Sequence, residues 1–215
     1  MFSISASKIT AYHSCPRKFY LQYILKLKEP TESPWLELGS RVHSKLADGI
    51  FESEDPTEKV LLQNGKKFLD SMPKNPIRET SYSDSKNPGR FYGEVCGQKA
   101  VGIFDIHWEP EISEGGDFKT GQFWKSYTSH FDMQAWILNE LFKQKYDQPL
   151  KRFCFAFLKD GSVYEPECIK DEKSNKKVEK SIKKILFNIE EENYPKKCGN
   201  LCEKCGLNMF CSMDL

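Results

Sequence analysis

Midway along the chain the spacing of apolar residues changes from helical to alternating, and the alternating part carries acids where a buried residue is due. In VGIFDIHW (101–108), Val101, Ile103, Asp105 and His107 share one face of a strand, because residues two apart point the same way. An unpaired carboxylate at position 105 costs on the order of several kcal/mol unless a cation or hydrogen bonds meet it. Shortly after, GGDFKTG (115–121) places Asp117 and Lys119 on one strand face just before a turn. A neighbouring strand can lay Asp105 beside that pair. The fold must therefore bring carboxylates and an ammonium to one place on a sheet.

The rest of the chain supplies the layers for that sheet. Its 215 residues suit one domain with a sizeable core. Ser5 or Ser7 can cap a first helix, and Pro16 opens a second segment, CPRKFYLQYIL. In LELGSRVHSKLADGIF, Leu38, Val42, Leu46 and Ile50 form one stripe of a helix with His43 at its edge, and a third helix is expected over 58–69. The stretch 71–90, rich in proline, serine and charge, reads as a surface loop. Two strands joined around Gly97-Gln98 follow, then the strand through EISEGGDFKTG, a helix over 129–146, and a hairpin of RFCFAFL and SVYEPECI around the turn KDG. Val178, Ile182, Ile185 and Ile189 mark a last amphipathic helix with a lysine-rich outer face. This order predicts an α/β fold with a mixed central sheet flanked by helices. It divides into a helical part over about 1–72, a core over about 90–190 and a cysteine-rich tail over about 194–215.

Two carboxylates, an imidazole and an ammonium suit metal-assisted hydrolysis of a phosphodiester. Asp105 and Asp117 offer hard oxygen ligands for Mg²⁺ or Mn²⁺, the Phe118 carbonyl can add another, and His43 shifts the preference towards Mn²⁺. Lys119 can orient the attacking water, take its proton or stabilise charge on the phosphorane.

Eight cysteines in a chain this long, with no export signal read at its start, point to metal or redox chemistry rather than disulfides. The tail motif Cys202-x2-Cys205-x5-Cys211 supplies three thiolates and needs a fourth. Nearby Cys198 would complete a local zinc knot, whereas distant Cys15 would clasp the two ends together. Cys96, Cys154 and Cys168 are expected in strands as small buried hydrophobes.

The order Gly39-Ser40-Arg41-Val42-His43, Gly102-Ile103-Phe104-Asp105, Asp117-Phe118-Lys119-Thr120 and Gln134 resembles the RecB-like branch of the PD-(D/E)XK nuclease superfamily. That resemblance implies metal at His43, Asp105 and Asp117, a catalytic Lys119 and a site-positioning Gln134; the tyrosine expected four residues after Gln134 is Leu138. CPRKFY near the start together with the C-x2-C-x5-C tail is similar to the iron–sulfur nucleases related to the CRISPR-associated Cas-four proteins and the bacterial AddB subunit. It implies a [4Fe–4S] cluster on Cys15, Cys202, Cys205 and Cys211. The expected activity is exonucleolytic cleavage of DNA at single-stranded ends. A nuclease-derived DNA-binding scaffold and a zinc-clasped protein are the rival expectations.

The net charge of +1, from 32 basic against 31 acidic residues, excludes a generally basic nucleic-acid coat but not a local groove. Lys8, Arg17, Lys18, Tyr20 and Tyr23 combine cations with aromatic rings near the cysteines, and Arg41 and Lys45 flank His43; these are the candidate DNA contacts. No stretch reaches membrane-spanning length, so the expected compartment is cytoplasmic.

Overall fold

The computed structural model describes residues 3–29, 34–79, 87–199, 202–203 and 205–211. The N-terminal part comprises β1 (Ile4–Ser5), α1 (Ala6–Ser14), α2 (Pro16–Phe19), α3 (Pro34–Ala47) and α4 (Pro56–Ser71), with α2 running on as a π-helical turn over Tyr20–Ile24. Then come β2 (Ile77–Arg78), β3 (Arg90–Val95), β4 (Gln98–Ile103), β5 (Ile106–His107), β6 (Glu114–Lys119), α5 (Thr128–Tyr146), β7 (Arg152–Phe157) and β8 (Ser162–Tyr164). Helices α6 (Glu167–Lys170), α7 (Glu172–Glu190) and α8 (Asn208–Cys211) complete the chain. No described helix is long and apolar enough to cross a membrane.

Instead of one central sheet there are two mixed sheets, ordered β1-β4-β3 and β2-β5-β6-β7-β8. The division falls at Phe104–Asp105. Phe104 N–H still donates to Gly89 of the first sheet at 2.9 Å, whereas the Asp105 carbonyl accepts from Glu79 N–H of the second at 3.0 Å. Asp105 thus lies at the seam between sheets, and His107 turns away into an aromatic pocket of Phe91, Phe104 and Tyr146.

Alternation along β7 sets the layers. Phe153, Phe155 and Phe157 pack towards α5 and α7, while Cys154 and Ala156 join the apolar stripe Leu38, Val42 and Leu46 of α3 and the buried Leu61 and Leu62 of α4. On β6 the same alternation sends Phe118 to the α3/α4 side and leaves Asp117 and Lys119 on the α5 side. Gly115 and Gly116 admit close neighbours: a Cβ at 115 would lie 2.9 Å from the Phe104 ring and one at 116 would lie 3.0 Å from Ile106. Despite the glycines, β6 pairs with β7 along all six residues.

Several local expectations change. The α3 stripe stops before Ile50, because the helix ends at Ala47 and Gly49 turns the chain at φ +72°, leaving Ile50 exposed. Part of the expected loop 71–90 is the strand β2, paired with β5; residues 80–86 lie outside the described set. Cys96 is not a buried strand residue: with Gly97 it forms the β3–β4 turn, both at positive φ as a type I′ turn requires, and its side chain is exposed. Cys168 is buried, but in α6, because the last strand ends at Tyr164, ahead of Pro166. Cys154 is buried in β7 as expected.

Candidate active site

Where β5 begins and β6 passes, side chains from three segments meet. α3 brings His43, the residue after β2 brings Glu79, and the seam brings Asp105; one ligand atom from each lies within 4.8 Å of the others. His43 Nδ1 is 3.3 Å from Asp105 Oδ1 and 3.9 Å from Glu79 Oε1. The second Asp105 oxygen accepts from Phe118 N–H at 2.5 Å, so the backbone of β6 fixes the carboxylate. Lys119 C=O points to β7, where it accepts from Leu158 N–H at 2.8 Å; strand alternation therefore turns the Phe118 carbonyl to the Asp105 edge.

Beside this trio runs a second chain of contacts. Lys119 Nζ lies 2.5 Å from Asp117 Oδ1 and donates to Gln134 Oε1 at 3.1 Å, while Gln134 Nε2 donates to Asp117 Oδ2 at 2.6 Å. The carboxylate and the ammonium together dictate which way the Gln134 amide faces. Asp117 has both oxygens engaged by Lys119 and Gln134, and it stands next to the His43–Glu79–Asp105 group rather than within it. Leu138, one turn beyond Gln134, is core: it packs on Gly102, where a Cβ would approach its methyl to 2.6 Å.

The site is electrostatically short of positive charge. Burial opposes a charged imidazole, yet Asp105 and Glu79 push the His43 pKa well above its ordinary value. Burial lifts Asp117 to about 6 against the pull of Lys119, with Asp105 adding to the rise. Burial likewise raises Glu79, whereas His43 and the Phe118 N–H hold Asp105 below the ordinary range despite its burial. Glu79 Oε2 is buried without a hydrogen-bond donor. An orphaned carboxylate oxygen beside a second carboxylate and an imidazole is a donor set that suits a small divalent ion.

Glu79 has no distinguishing mark in the sequence, since it lies in a stretch dominated by proline, serine and charge. The pairing of β2 with β5, extended by its own backbone bond to Asp105 26 positions away, places it here.

The cysteines gather at the C-terminal end of α1. Cys15, Cys198, Cys202, Cys205 and Cys211 line one small cavity, together with Lys18, Lys196 and Lys197. The candidate DNA contacts are mostly engaged: Lys18 pairs with Glu29 at 2.8 Å, and Arg41 and Lys45 both reach the buried Glu58, at 3.4 and 2.5 Å. Lys8 donates to the Ser3 carbonyl, Arg17 lies over the Tyr20 ring at 5.2 Å, Tyr20 stacks on Tyr194 and Tyr23 packs on Phe19.

A family model of the PD-(D/E)XK nuclease superfamily matches residues 3–87. The matched part carries His43 and Glu79 and ends before Asp105, Asp117 and Lys119, which the fold brings to the same place. The two mixed sheets flanked by helices are consistent with a nuclease of that superfamily. No curated protein matches the chain.

Proposed function

We propose that this chain is a divalent-metal-dependent deoxyribonuclease that hydrolyses phosphodiester bonds from free single-stranded ends. The observation that carries the reading is the meeting of His43, Glu79 and Asp105 beside the Asp117–Lys119–Gln134 chain. His43, Glu79, Asp105 and the Phe118 carbonyl would hold Mg²⁺ or Mn²⁺, with Asp117 adjacent. When bound, such an ion polarises a phosphate oxygen and lowers the pKa of a water. The Lys119 ammonium is held by the Asp117 ion pair, the Gln134 amide oxygen and the Phe155 ring face at 5.3 Å, and from that position it would meet a phosphate oxygen or the attacking water. Asp117 and Gln134 are then positioning residues that aim the ammonium, and Lys119 is the catalytic residue.

Cys15, Cys202, Cys205 and Cys211 form the proposed seat of a [4Fe–4S] cluster that holds the tail on the N-terminal segment. A single tetrahedral zinc with bonds of about 2.3 Å needs thiolates about 3.8 Å apart. Cys198 lines the same cavity and is the spare thiolate that a zinc knot would use. The three lysines on the cavity wall suit an anionic cluster. The proposed compartment is the cytoplasm, where thiols stay reduced.

Labelled linear and circular single-stranded DNA, incubated with Mn²⁺, tests the reading. Loss of the linear strand alone, abolished in Asp105→Asn and Lys119→Ala, is the expected result; binding by the wild type without turnover would instead favour the scaffold reading. Anaerobic purification should yield a brown protein whose colour is lost in Cys15→Ala and kept in Cys198→Ala. A colourless chain carrying zinc would overturn the cluster.

A further inference from the structure

The chain's four tryptophans divide cleanly. Trp108 and Trp136 are buried, and each indole N–H is satisfied, by the Pro73 carbonyl at 3.1 Å and by Asn175 Oδ1 at 3.1 Å. Trp35 and Trp124 are 72% and 58% exposed. Indoles are large apolar surfaces that chains usually cover, and these two flank segments that carry the candidate site residues.

Both lie on segments that carry or adjoin residues of the candidate active site. Trp35, Gly39 and His43 follow at four-residue intervals on α3 and share one stripe of the helix. Gly39 faces the end of β6: a Cβ built there would lie 3.6 Å from Thr120 Oγ1, next to Lys119. Trp35 lies eight helical steps before His43, about 12 Å along the axis. Trp124 sits in the segment joining Lys119 to α5, the helix that carries Gln134. That segment is anchored rather than loose. Phe123 N–H donates to Asp160 Oδ2 at 3.2 Å, its ring packs on Phe157 and Tyr164, and Tyr127 N–H donates to the Trp124 carbonyl at 2.9 Å. With Phe123 turned inward, the neighbouring indole is presented outward on a fixed backbone.

We infer that Trp35 and Trp124 form a base-stacking platform that seats the nucleobases of a single nucleic-acid strand while its backbone enters the site. The inference rests on the nuclease reading above and names how that site holds its substrate. Arg41 and Lys45, the cations nearest His43 on α3, are drawn to Glu58, so stacking supplies grip beside this site that ion pairing does not. Every base offers a ring face, so such a platform holds a strand without reading its sequence.

The test measures binding in EDTA, without turnover, for a labelled strand of roughly twelve nucleotides and for an abasic strand of equal length, which keeps the phosphates but lacks the rings. Trp35→Ala and Trp124→Ala should each weaken the base-bearing complex by roughly 5- to 150-fold, the range that loss of one stacked base commands. The abasic complex should be nearly unchanged, and Trp35→Phe should recover most of the loss. Equal affinities in wild type and variants, or equal losses on both strands, overturn the inference. If the wild type still degrades DNA with Mn²⁺ in that case, the platform alone fails; a wild type that neither binds nor degrades any strand removes the nuclease reading as well.

Discussion

Replacing Cys15 with serine separates two ways of holding the chain ends together. If the cysteine site were the only clasp, it would close a loop of nearly the whole chain, worth about 5 kcal/mol on the chain-entropy scale for cross-links. The fold supplies a second clasp just before it. Tyr194 stacks on Tyr20 at 4.9 Å and on Phe19 at 6.0 Å and meets Tyr12 edge-on at 6.3 Å, while the Tyr12 hydroxyl donates to the Asn193 carbonyl. Three aromatic pairs at about 0.5–1.5 kcal/mol each and one hydrogen bond of about the same range give roughly 2–6 kcal/mol. The docked state at Tyr194 is therefore favoured by a factor of about 30 or more without any help from the thiols. With that contact in place, the cysteines close only the short segment from 194 to 202, worth about 2.5 kcal/mol on the same scale.

Cys15→Ser should then leave amide exchange in α1, α5 and α7 at wild-type levels while the segment after Tyr194 exchanges freely and is nicked by protease. Urea unfolding of the core should shift by less than about 1 kcal/mol. Adding Tyr194→Ala should spread the loosening to α1 and the end of α7. If Cys15→Ser alone opens α1, the aromatic clasp carries far less than its contacts suggest and the reasoning fails.

Glu79→Gln removes a buried charge of which one oxygen, Oε2, has no hydrogen-bond donor. The metal-free protein should be as stable as wild type or more so, while the Mn²⁺ concentration needed to raise its melting temperature should increase about 10- to 100-fold, a range that even outer partners of a metal site command. Gly89→Ala would place a Cβ 2.3 Å from the Phe104 carbonyl, a backbone atom that cannot swing away; a loss of about 1–3 kcal/mol in urea unfolding is expected, with nuclease activity falling because the neighbouring Asp105 moves. Burial, with His13 and Lys197 nearby, depresses the His130 pKa to about 4, so its unfolded form takes up protons first as pH falls. Stability from this residue is present above about pH 6.5 and lost towards pH 4. Allowing for partial exposure, about 1 kcal/mol should disappear between pH 7 and 5, and His130→Gln should flatten that part of the profile.

What was legible in the sequence, and what was not, divides along the range of the contact that fixes each residue. The phenylalanines of RFCFAFL declare the α5 face of the sheet through period alone, and Asp117 and Lys119 share a face because strand geometry makes it so. The same period misplaces Asp105. It predicts one unbroken strand through 101–107, whereas the backbone of Glu79 captures the Asp105 carbonyl and starts a second sheet there. Cys96 is misread for a related reason: Val95-Cys96-Gly97-Gln98 continues the alternation, and only the paired register of β3 with β4 makes positions 96 and 97 the turn. The seam explains why Glu79 escapes a sequence reading that names its companions His43 and Asp105 as candidate ligands. A carboxylate in the middle of a regular strand has its neighbours set two residues away on its own chain and directly across on the next. At a seam the backbone stops repeating, so the side chain meets whatever the incoming segment carries, which here is the acid at position 79 and the imidazole at 43. Side-chain groups assembled from segments this far apart follow from which backbones pair, and a strand period holds no information about a partner strand that joins it for two residues and one further hydrogen bond.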